Sequence, residues 1–283
     1  SDIEDAKTPW KMRFTALQNV TLNLPRVAYI SDHDDTKIFE NLENLMKLVV
    51  KAHMEKQRFI QELLSAGQNG PLALLTMNLD GEPYLRMYRV TYLVGLLGLN
   101  EMVQFHTGSQ LHDSEDAFRF GVKVISYLKI LCERYSKETG LRFVLEQTPA
   151  ESTAYRFARL DYEHFTSESS DILKGTTPDR VYYTNSTYLN ISEPISPIEK
   201  VKKEGVFHPL IEAGALTHIW LGESKPDSQS LANFVVKSFQ NTKNSQIAFS
   251  PEFTSCLDCG RIYRGIYKEC PWCSASRKGV VRV

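Results

Sequence analysis

Four cysteines constrain this chain more than any other feature. Cys256, Cys259, Cys270 and Cys273 form the pattern C-x2-C-x10-C-x2-C near the carboxyl end. Two such knuckles at this separation match a tetrahedral zinc site with four thiolate ligands and Zn–S bonds of about 2.3 Å. Each knuckle is built to turn, since Gly260 follows Cys259 and Pro271 bends the chain inside Cys270–Cys273. Four protein ligands close the coordination sphere, so such a metal organises the fold and does not activate water. The competing reading is a pair of structural or redox disulfides, which the absence of a nearby βαβ thioredoxin pattern makes the weaker of the two. The fifth cysteine, Cys132, falls at an apolar helix position and reads as packing.

The remaining composition is that of an ordinary globular chain. Its 283 residues suffice for one large domain, or for a large domain and a small module. Lys and Arg number 33 against 34 Asp and Glu, a net charge of −1, which speaks against a nucleic-acid groove or a membrane surface. No apolar run approaches the ~20 residues that span a bilayer. The opening Ser1–Asp5 lacks the basic-then-apolar order of a signal peptide, so a soluble, intracellular, cytoplasmic protein is expected.

Along the chain, strand and helix patterns alternate. Asn19–Tyr29 reads as a strand that runs out at Pro25. From Thr36 to about Ala66, Ile38, Leu42, Leu45, Met46, Val49 and Val50 recur at helical spacing, and Gly67 ends the run. Leu72–Met77 and Tyr84–Val94 look strand-like about an Asp80-Gly81 turn, while Gly95, Gly98, Gly108 and Asn100 mark backbone needing freedom or close approach. Asp113-Ser114-Glu115 caps a second long helix to about Lys137, followed by the strand Leu141–Glu146 and a helix over Thr148–Leu160. Beyond a polar stretch at Thr166–Ser170 come a helix near Ile198–Lys203, a strand Thr217–Leu221, a helix Ser228–Gln240 and a strand Gln246–Phe249. The pattern predicts an α/β barrel or sheet, with a boundary near Phe253.

One turn could carry chemistry. In Gln147-Thr-Pro-Ala-Glu-Ser-Thr153, Thr148 suits an N-cap, Pro149 the first helical position and Glu151 the third, a T-x-x-E capping box. The plain reading is a well-made helix start. The functional reading is that the free amides of this first turn, with the Ser152 and Thr153 hydroxyls, bind phosphates at the carboxyl end of a strand.

Five segments together resemble the catalytic subunit of the anaerobic, class III ribonucleoside-triphosphate reductases, members of the glycyl radical enzymes. They are Asn19-Val-Thr-Leu-Asn-Leu-Pro-Arg26, Thr148-Pro-Ala-Glu-Ser-Thr-Ala-Tyr-Arg-Phe-Ala-Arg-Leu-Asp161, Tyr183-Thr-Asn-Ser186, Phe207-His-Pro-Leu-Ile-Glu-Ala-Gly214 and the cysteine quartet, in the family's order over nearly the whole chain. The resemblance implies an α/β fold, part of a ten-stranded barrel. Residues 1–253 would be the C-terminal portion of that barrel, and residues 254–283 a zinc-ribbon-like module leading to the radical loop. It implies radical removal of the ribose 2′-hydroxyl, giving 2′-deoxyribonucleoside triphosphates for DNA synthesis. A radical-SAM activating enzyme would make the glycyl radical, and a cysteine thiyl radical would abstract the 3′ hydrogen. By the same resemblance Asn23 lies beside the ribose in a catalytic and substrate-binding role, and Thr148, Pro149, Ala150, Glu151 and Ser152 form the phosphate loop. Structural zinc, ribonucleoside triphosphates and a homodimer complete the implied cofactors and partners, with no nucleic acid and no membrane.

Two departures matter. The family's R-V-x-G-Y radical motif would begin at Arg282-Val283, where the chain stops, and no cysteine lies between Ser1 and Asn19 to carry the thiyl radical. The expectation is a fragment that holds the phosphate loop, part of the ribose pocket and the metal, inactive alone, with the radical glycine just beyond Val283. The alternative is a non-catalytic zinc-ribbon protein that binds nucleotides or nucleic acid through Arg261, Arg264, Lys268, Arg277, Lys278 and Arg282.

Overall fold

The computed structural model describes residues 6–78, 81–176, 180–222, 224–276 and 280–282. Two compact units emerge, Ser1–Glu193 with Leu210–Gly214, and Pro194–Pro209 with Ala215–Val283. In the first, β1 (Thr15–Asn23) turns directly into α1 (Leu24–Ser31). Pro25 therefore opens a helix and does not merely end a strand. It sits in the first turn, where its missing N–H costs nothing, and the Asn23 side chain caps that turn by accepting from the Arg26 amide at 3.2 Å.

The long helix α2 (Asp35–Ser65) follows its apolar periodicity, and Asp34 caps it through the amides of Thr36 and Lys37. Leu72–Met77, expected as a strand, contains instead a helical turn at Ala73–Thr76. Its amides find partners locally, Ala73 on the Gly70 carbonyl and Leu75 on that of Leu72, while the carbonyls of Leu75 and Met77 still accept from the amides of Leu85 and Tyr84 across the expected turn. Asp80 of the expected turn lies outside the described residues. A 3₁₀ turn at Met87–Arg89 then delays β2 (Val90–Leu97). The helix α3 (Leu99–Thr107) was not foreseen; it lies between Gly98 and Gly108, both left-handed with φ of 76° and 77°. After α4 (Glu115–Thr139), capped by Ser114, come β3 (Phe143–Glu146), α5 (Glu151–His164) and an antiparallel pair, β4 (Lys174–Thr176) with β5 (Arg180–Tyr182).

The strands β1, β2 and β3 form one parallel sheet in that order. Alternation gives the sheet two unlike faces. One carries Leu22, Tyr92, Val94, Leu96 and Leu145, which are buried together with Ile38, Leu42 and Met46 of α2 and Leu128 of α4. Each such side chain contributes about 1.5–3 kcal/mol of burial, and this is where the unit's stability lies. The other face carries Asn19, Thr21, Asn23, Gly95 and Glu146. One polar group sits inside the apolar side. His53 of α2 is fully buried beside the Tyr92 and Phe143 rings, and its Nε2–H donates to the Leu93 carbonyl at 3.0 Å. Burial pushes this imidazole down to about 4, so it is neutral at pH 7.

The second unit holds α6 (Pro197–Glu204), β6 (Thr217–Gly222), α7 (Ser228–Asn241) and β7 (Ile247–Pro251), close to the elements expected. Here β6 and β7 pair in parallel, while β8 (Phe253–Cys256) lies between β9 (Ile262–Arg264) and β10 (Val280–Arg282) in an antiparallel sheet. His208 is buried among polar partners: its Nδ1 accepts from the Ser245 amide at 2.9 Å and its Nε2 faces Thr217 Oγ1 at 3.3 Å. Thr217 in turn donates to Asn244 at 2.6 Å, and burial pushes His208 down to about 4. Among the described residues, no helix is long and apolar enough to cross a membrane.

Candidate functional site

The polar face of the three-stranded sheet gathers its side chains at the carboxyl ends of the strands, where parallel sheets usually receive ligands. Thr21, Gly95 and Glu146 lie in one register row. Asn19 Nδ2 donates to Glu146 Oε2 and, at 3.0 Å, to Thr148 Oγ1, which itself donates to Glu146 Oε2 at 3.2 Å. Gly95 makes this cluster possible. A Cβ there would run into Thr148 Oγ1 and come within 2.6 Å of Asn19 Oδ1 and 2.8 Å of Thr21 Oγ1. Gly95, marked in the sequence for close approach, thus has its reason in three hydroxyl and amide groups that fill the space above it.

The expected capping box does not form. The helix begins at Glu151, its N-cap is Ala150, and no side chain caps it, because the Thr148 hydroxyl is committed to Asn19 and Glu146. Glu151 is the first helical residue, not the third, and both it and Ser152 are exposed. The first turn of α5 therefore presents its amides without a side-chain acceptor, directly after a strand end. Such a turn, with the Ser152 and Thr153 hydroxyls beside it, can hold an anion.

Asn23 stands at the junction of β1 and α1. Its Oδ1 accepts from the Arg26 amide, and its Nδ2 donates to Asp161 Oδ2 at 2.8 Å. Asp161, fully buried on α5, also accepts from Arg26 Nε at 2.6 Å and from the Tyr183 hydroxyl at 2.9 Å. Tyr183 and Tyr29 meet hydroxyl to hydroxyl at 3.0 Å, and burial raises both phenols well above their usual range. Asn19, Glu146 and Asp161 received no role from sequence reasoning. The signal was faint: Asn19 opens one of the quoted motifs and Asp161 closes another, but Glu146 and Asn23, which they meet, lie more than a hundred residues away.

Two further motifs prove to be latches. In Tyr183–Ser186, Thr184 donates through both its amide (3.1 Å) and its hydroxyl (2.5 Å) to the fully buried Glu101 of α3, while Gly98 and Leu99 donate to the carbonyls of Thr184 and Ser186. In Phe207–Gly214, Ala213 donates to the Leu145 carbonyl and the Gln147 amide to that of Gly214, so Ala213 and Gly214 lie along the end of β3 just before the α5 turn. Cys132 is buried on α4 and lines a cavity of about 300 Å³ with Phe143, Leu145 and Leu210; burial pushes its thiol up to about 12, as suits packing.

The four remaining cysteines converge. Their sulfurs all lie within 4.8 Å of one another, with Cys256–Cys273 at 3.5 Å and Cys259–Cys270 at 3.7 Å. The knuckles are alike: Gly260 (φ 69°) and Ser274 (φ 57°) return their amides at 2.9 Å to the carbonyls of Cys256 and Cys270. Burial opposes ionisation of Cys270, yet the Cys273 and Trp272 amides pointing at its sulfur bring it down to about 6. A pre-shaped thiol tetrad of this kind could hold a soft divalent metal such as zinc. Of the basic residues near it, Arg261 stacks its guanidinium 3.6 Å over the Trp272 ring, while Arg277 and Lys278 lie outside the described residues.

Comparison with known proteins points to one family. A family profile described as anaerobic ribonucleoside-triphosphate reductase matches residues 5–283. The anaerobic ribonucleoside-triphosphate reductase of Escherichia coli K12 is 26% identical over 281 residues, covering 93% of this chain and 38% of the relative. That of Enterobacteria phage T4 is 27% identical over 254 residues, covering 86% of this chain and 39% of the relative. The chain thus spans about two fifths of the length of these curated relatives. Among solved structures, the anaerobic ribonucleotide reductase from Thermotoga maritima with glycerol in the active site superposes with a TM-score of 0.76 at 23% identity, covering 93% of this chain and 41% of that one. The same enzyme in complex with dATP and CTP gives 0.74 at 22% identity, again over 93% and 41%. At these identities the likeness shows the fold.

Proposed function

Since the chain belongs to the anaerobic ribonucleoside-triphosphate reductase family, we propose that it forms the phosphate- and ribose-facing part of an enzyme that reduces ribonucleoside triphosphates to 2′-deoxyribonucleoside triphosphates. The observation that carries this reading is the uncapped first turn of α5, set at the end of β3 beside a polar cluster built around Gly95. In it, the amides after Ala150 with Thr148–Ser152 grip the triphosphate, and Asn23 faces the ribose. The Thermotoga maritima enzyme solved with dATP and CTP supports a nucleotide as ligand.

The chain's own contribution is binding and orientation. Phosphates held by a helix N-terminus fix the substrate, and a neutral amide hydrogen-bonds a sugar hydroxyl without acting as a competing base. Hydrogen abstraction by a radical needs that fixity, together with exclusion of water. The glycyl radical and its radical-SAM activating enzyme, the ten-stranded barrel and a homodimer belong to the same reading; no R-V-x-G-Y motif occurs within the 283 residues, and the radical is assigned to none of them. Cys256, Cys259, Cys270 and Cys273 would hold zinc in a module spanning 254–283, where the ion supplies structure alone.

Titration with a ribonucleoside triphosphate tests the proposal. The wild type should bind it, and Ser152→Ala should bind about tenfold more weakly, the equivalent of one lost charge-assisted hydrogen bond. Duplex DNA serves as the second arm. Failure to bind the nucleotide, with DNA binding that weakens steeply as salt rises, would instead favour the zinc-ribbon alternative.

A further inference from the structure

The most heavily committed polar group in the first unit is a carboxylate that the proposed chemistry does not use. Asp161 is fully buried, yet three residues from two separate segments donate to it, Asn23 Nδ2 at 2.8 Å, Arg26 Nε at 2.6 Å and the Tyr183 hydroxyl at 2.9 Å, and Arg26 Nη2 completes the ion pair at 2.5 Å. Tyr183 is itself backed by Tyr29 at 3.0 Å. A structural ion pair needs only the arginine. The added amide and phenol tie the carboxylate to the one residue that the ribose pocket requires.

We propose that Asp161 is a positioning residue that sets the Asn23 amide for the ribose of the substrate. The geometry dictates how. A carboxylate only accepts, so Asn23 must turn its Nδ2 toward Asp161, while the Arg26 amide needs an acceptor and takes Oδ1. The amide is thereby held from both ends and cannot flip. One N–H and one lone pair of Oδ1 remain uncommitted, a donor and an acceptor side by side, which suits sugar hydroxyls. Arg26 meanwhile neutralises the carboxylate, so no free base is left near the sugar.

Helix α5 gives the arrangement its reach. Its first turn is the proposed phosphate site, and Asp161 follows Glu151 by ten positions, about 15 Å along a rigid helix at 1.5 Å per residue. One element therefore carries both the phosphate grip and the carboxylate that orients the sugar contact. The inference rests on the reading of the phosphate loop and of Asn23 given above.

The test compares two probes on the 283-residue chain, a ribonucleoside triphosphate and inorganic tripolyphosphate, by calorimetric titration. Tripolyphosphate reports the helix N-terminus alone. Asp161→Asn should weaken the nucleoside triphosphate about tenfold and leave tripolyphosphate within about twofold, since one oriented hydrogen-bonding group is lost. Tyr183→Phe, which removes a single donor and keeps the ion pair, should give about a threefold loss in the same direction. It carries the test alone if Asp161→Asn does not fold. Selective loss for the nucleotide supports the proposal. Equal losses for both probes, or none for either in a folded variant, overturn it. If the wild type binds neither probe, the phosphate loop itself fails and the positioning role falls with it. If the wild type binds both equally, Asn23 makes no sugar contact and only the positioning role is overturned.

Discussion

Two turns in this chain are rich in backbone amides, and they use them in opposite ways. In the cysteine knuckles every named donor is turned inward, with Gly260 and Ser274 on the carbonyls of Cys256 and Cys270 and Trp272 on the Cys270 sulfur at 3.4 Å. At the start of α5 no side chain closes the turn, and the nearest candidate, Thr148, is drawn away to Asn19 and Glu146. The platforms differ too. The α5 turn stands on a sheet whose apolar face is sealed by two long helices, whereas the knuckles stand on short strands with Leu257, Ile262, Tyr267 and Trp272 exposed. A turn that spends its donors internally is an architectural end point, and one that leaves them open on a rigid base is prepared for a ligand. In the proposed reading, a bound phosphate would supply to the second the acceptors that two carbonyls and a sulfur supply to the first.

A test of the proposed zinc site is the strongest way to sharpen that contrast. With so little apolar burial, the knuckle module should depend on its thiolates as small zinc domains do, which are unfolded without metal. Cys270→Ser should reduce bound zinc from about one equivalent to almost none. Hydrogen exchange should then show protection lost across 254–276 and retained in β1–β3, α2 and α4. Equal loss in both regions would erase the distinction.

Acid probes the platform beneath the open turn. His53 is neutral in the folded chain, pushed to about 4 from an unfolded value of 6.5, mainly by burial. The unfolded chain therefore takes up a proton as pH falls below about 6.5, and the folded chain does not until about 4. Stability present above pH 6.5 should decline toward pH 4 and level off below it. In His53→Gln the amide can still donate to the Leu93 carbonyl but cannot titrate, so urea midpoints between pH 7 and 4.5 should depend less on pH, by up to about one proton taken up on unfolding. An unchanged pH dependence would mean that His53 is not held neutral. His208, also pushed to about 4, should add the same trend in the second unit.

These contrasts were unevenly legible in the amino-acid order. The quartet could be read because its spacing is covalent, and α2 and α4 because their apolar positions recur over many turns. The helix α3 escaped because its glycine borders read equally well as loop, and only nine residues separate Gly98 from Gly108. Pro25 was mistaken for a terminator because an N–L–P–R run fits a strand end as well as a helix start, and Asn23 decides between them by capping. The carboxylate at Asp161 could be seen but not its partners, since Asn23 and Arg26 reach it from 138 and 135 residues away. The same holds for Gly95, whose necessity appears only when Asn19, Thr21 and Thr148 meet above it.

The smallest effect falls on the residue where local and distant chemistry compete most directly. Locally, Thr148 has every qualification of an N-cap, and loss of such a cap costs about 1 kcal/mol and frays the first turn. In the fold its hydroxyl accepts from Asn19 and donates to Glu146, so Thr148→Val, which keeps the shape, removes two half-exposed hydrogen bonds and no cap. Stability should drop by no more than about 1 kcal/mol, and the amides of Ser152 and Thr153 should exchange with solvent as they do in the wild type. Nuclear magnetic resonance distinguishes the cases residue by residue. Faster exchange confined to those amides would mean that Thr148 closes the turn after all, and the α5 start would then resemble the knuckles, with its donors already spent. Unchanged exchange, with a shift in the Asn19 side-chain amide instead, keeps the turn open and places the hydroxyl in the service of the strand ends.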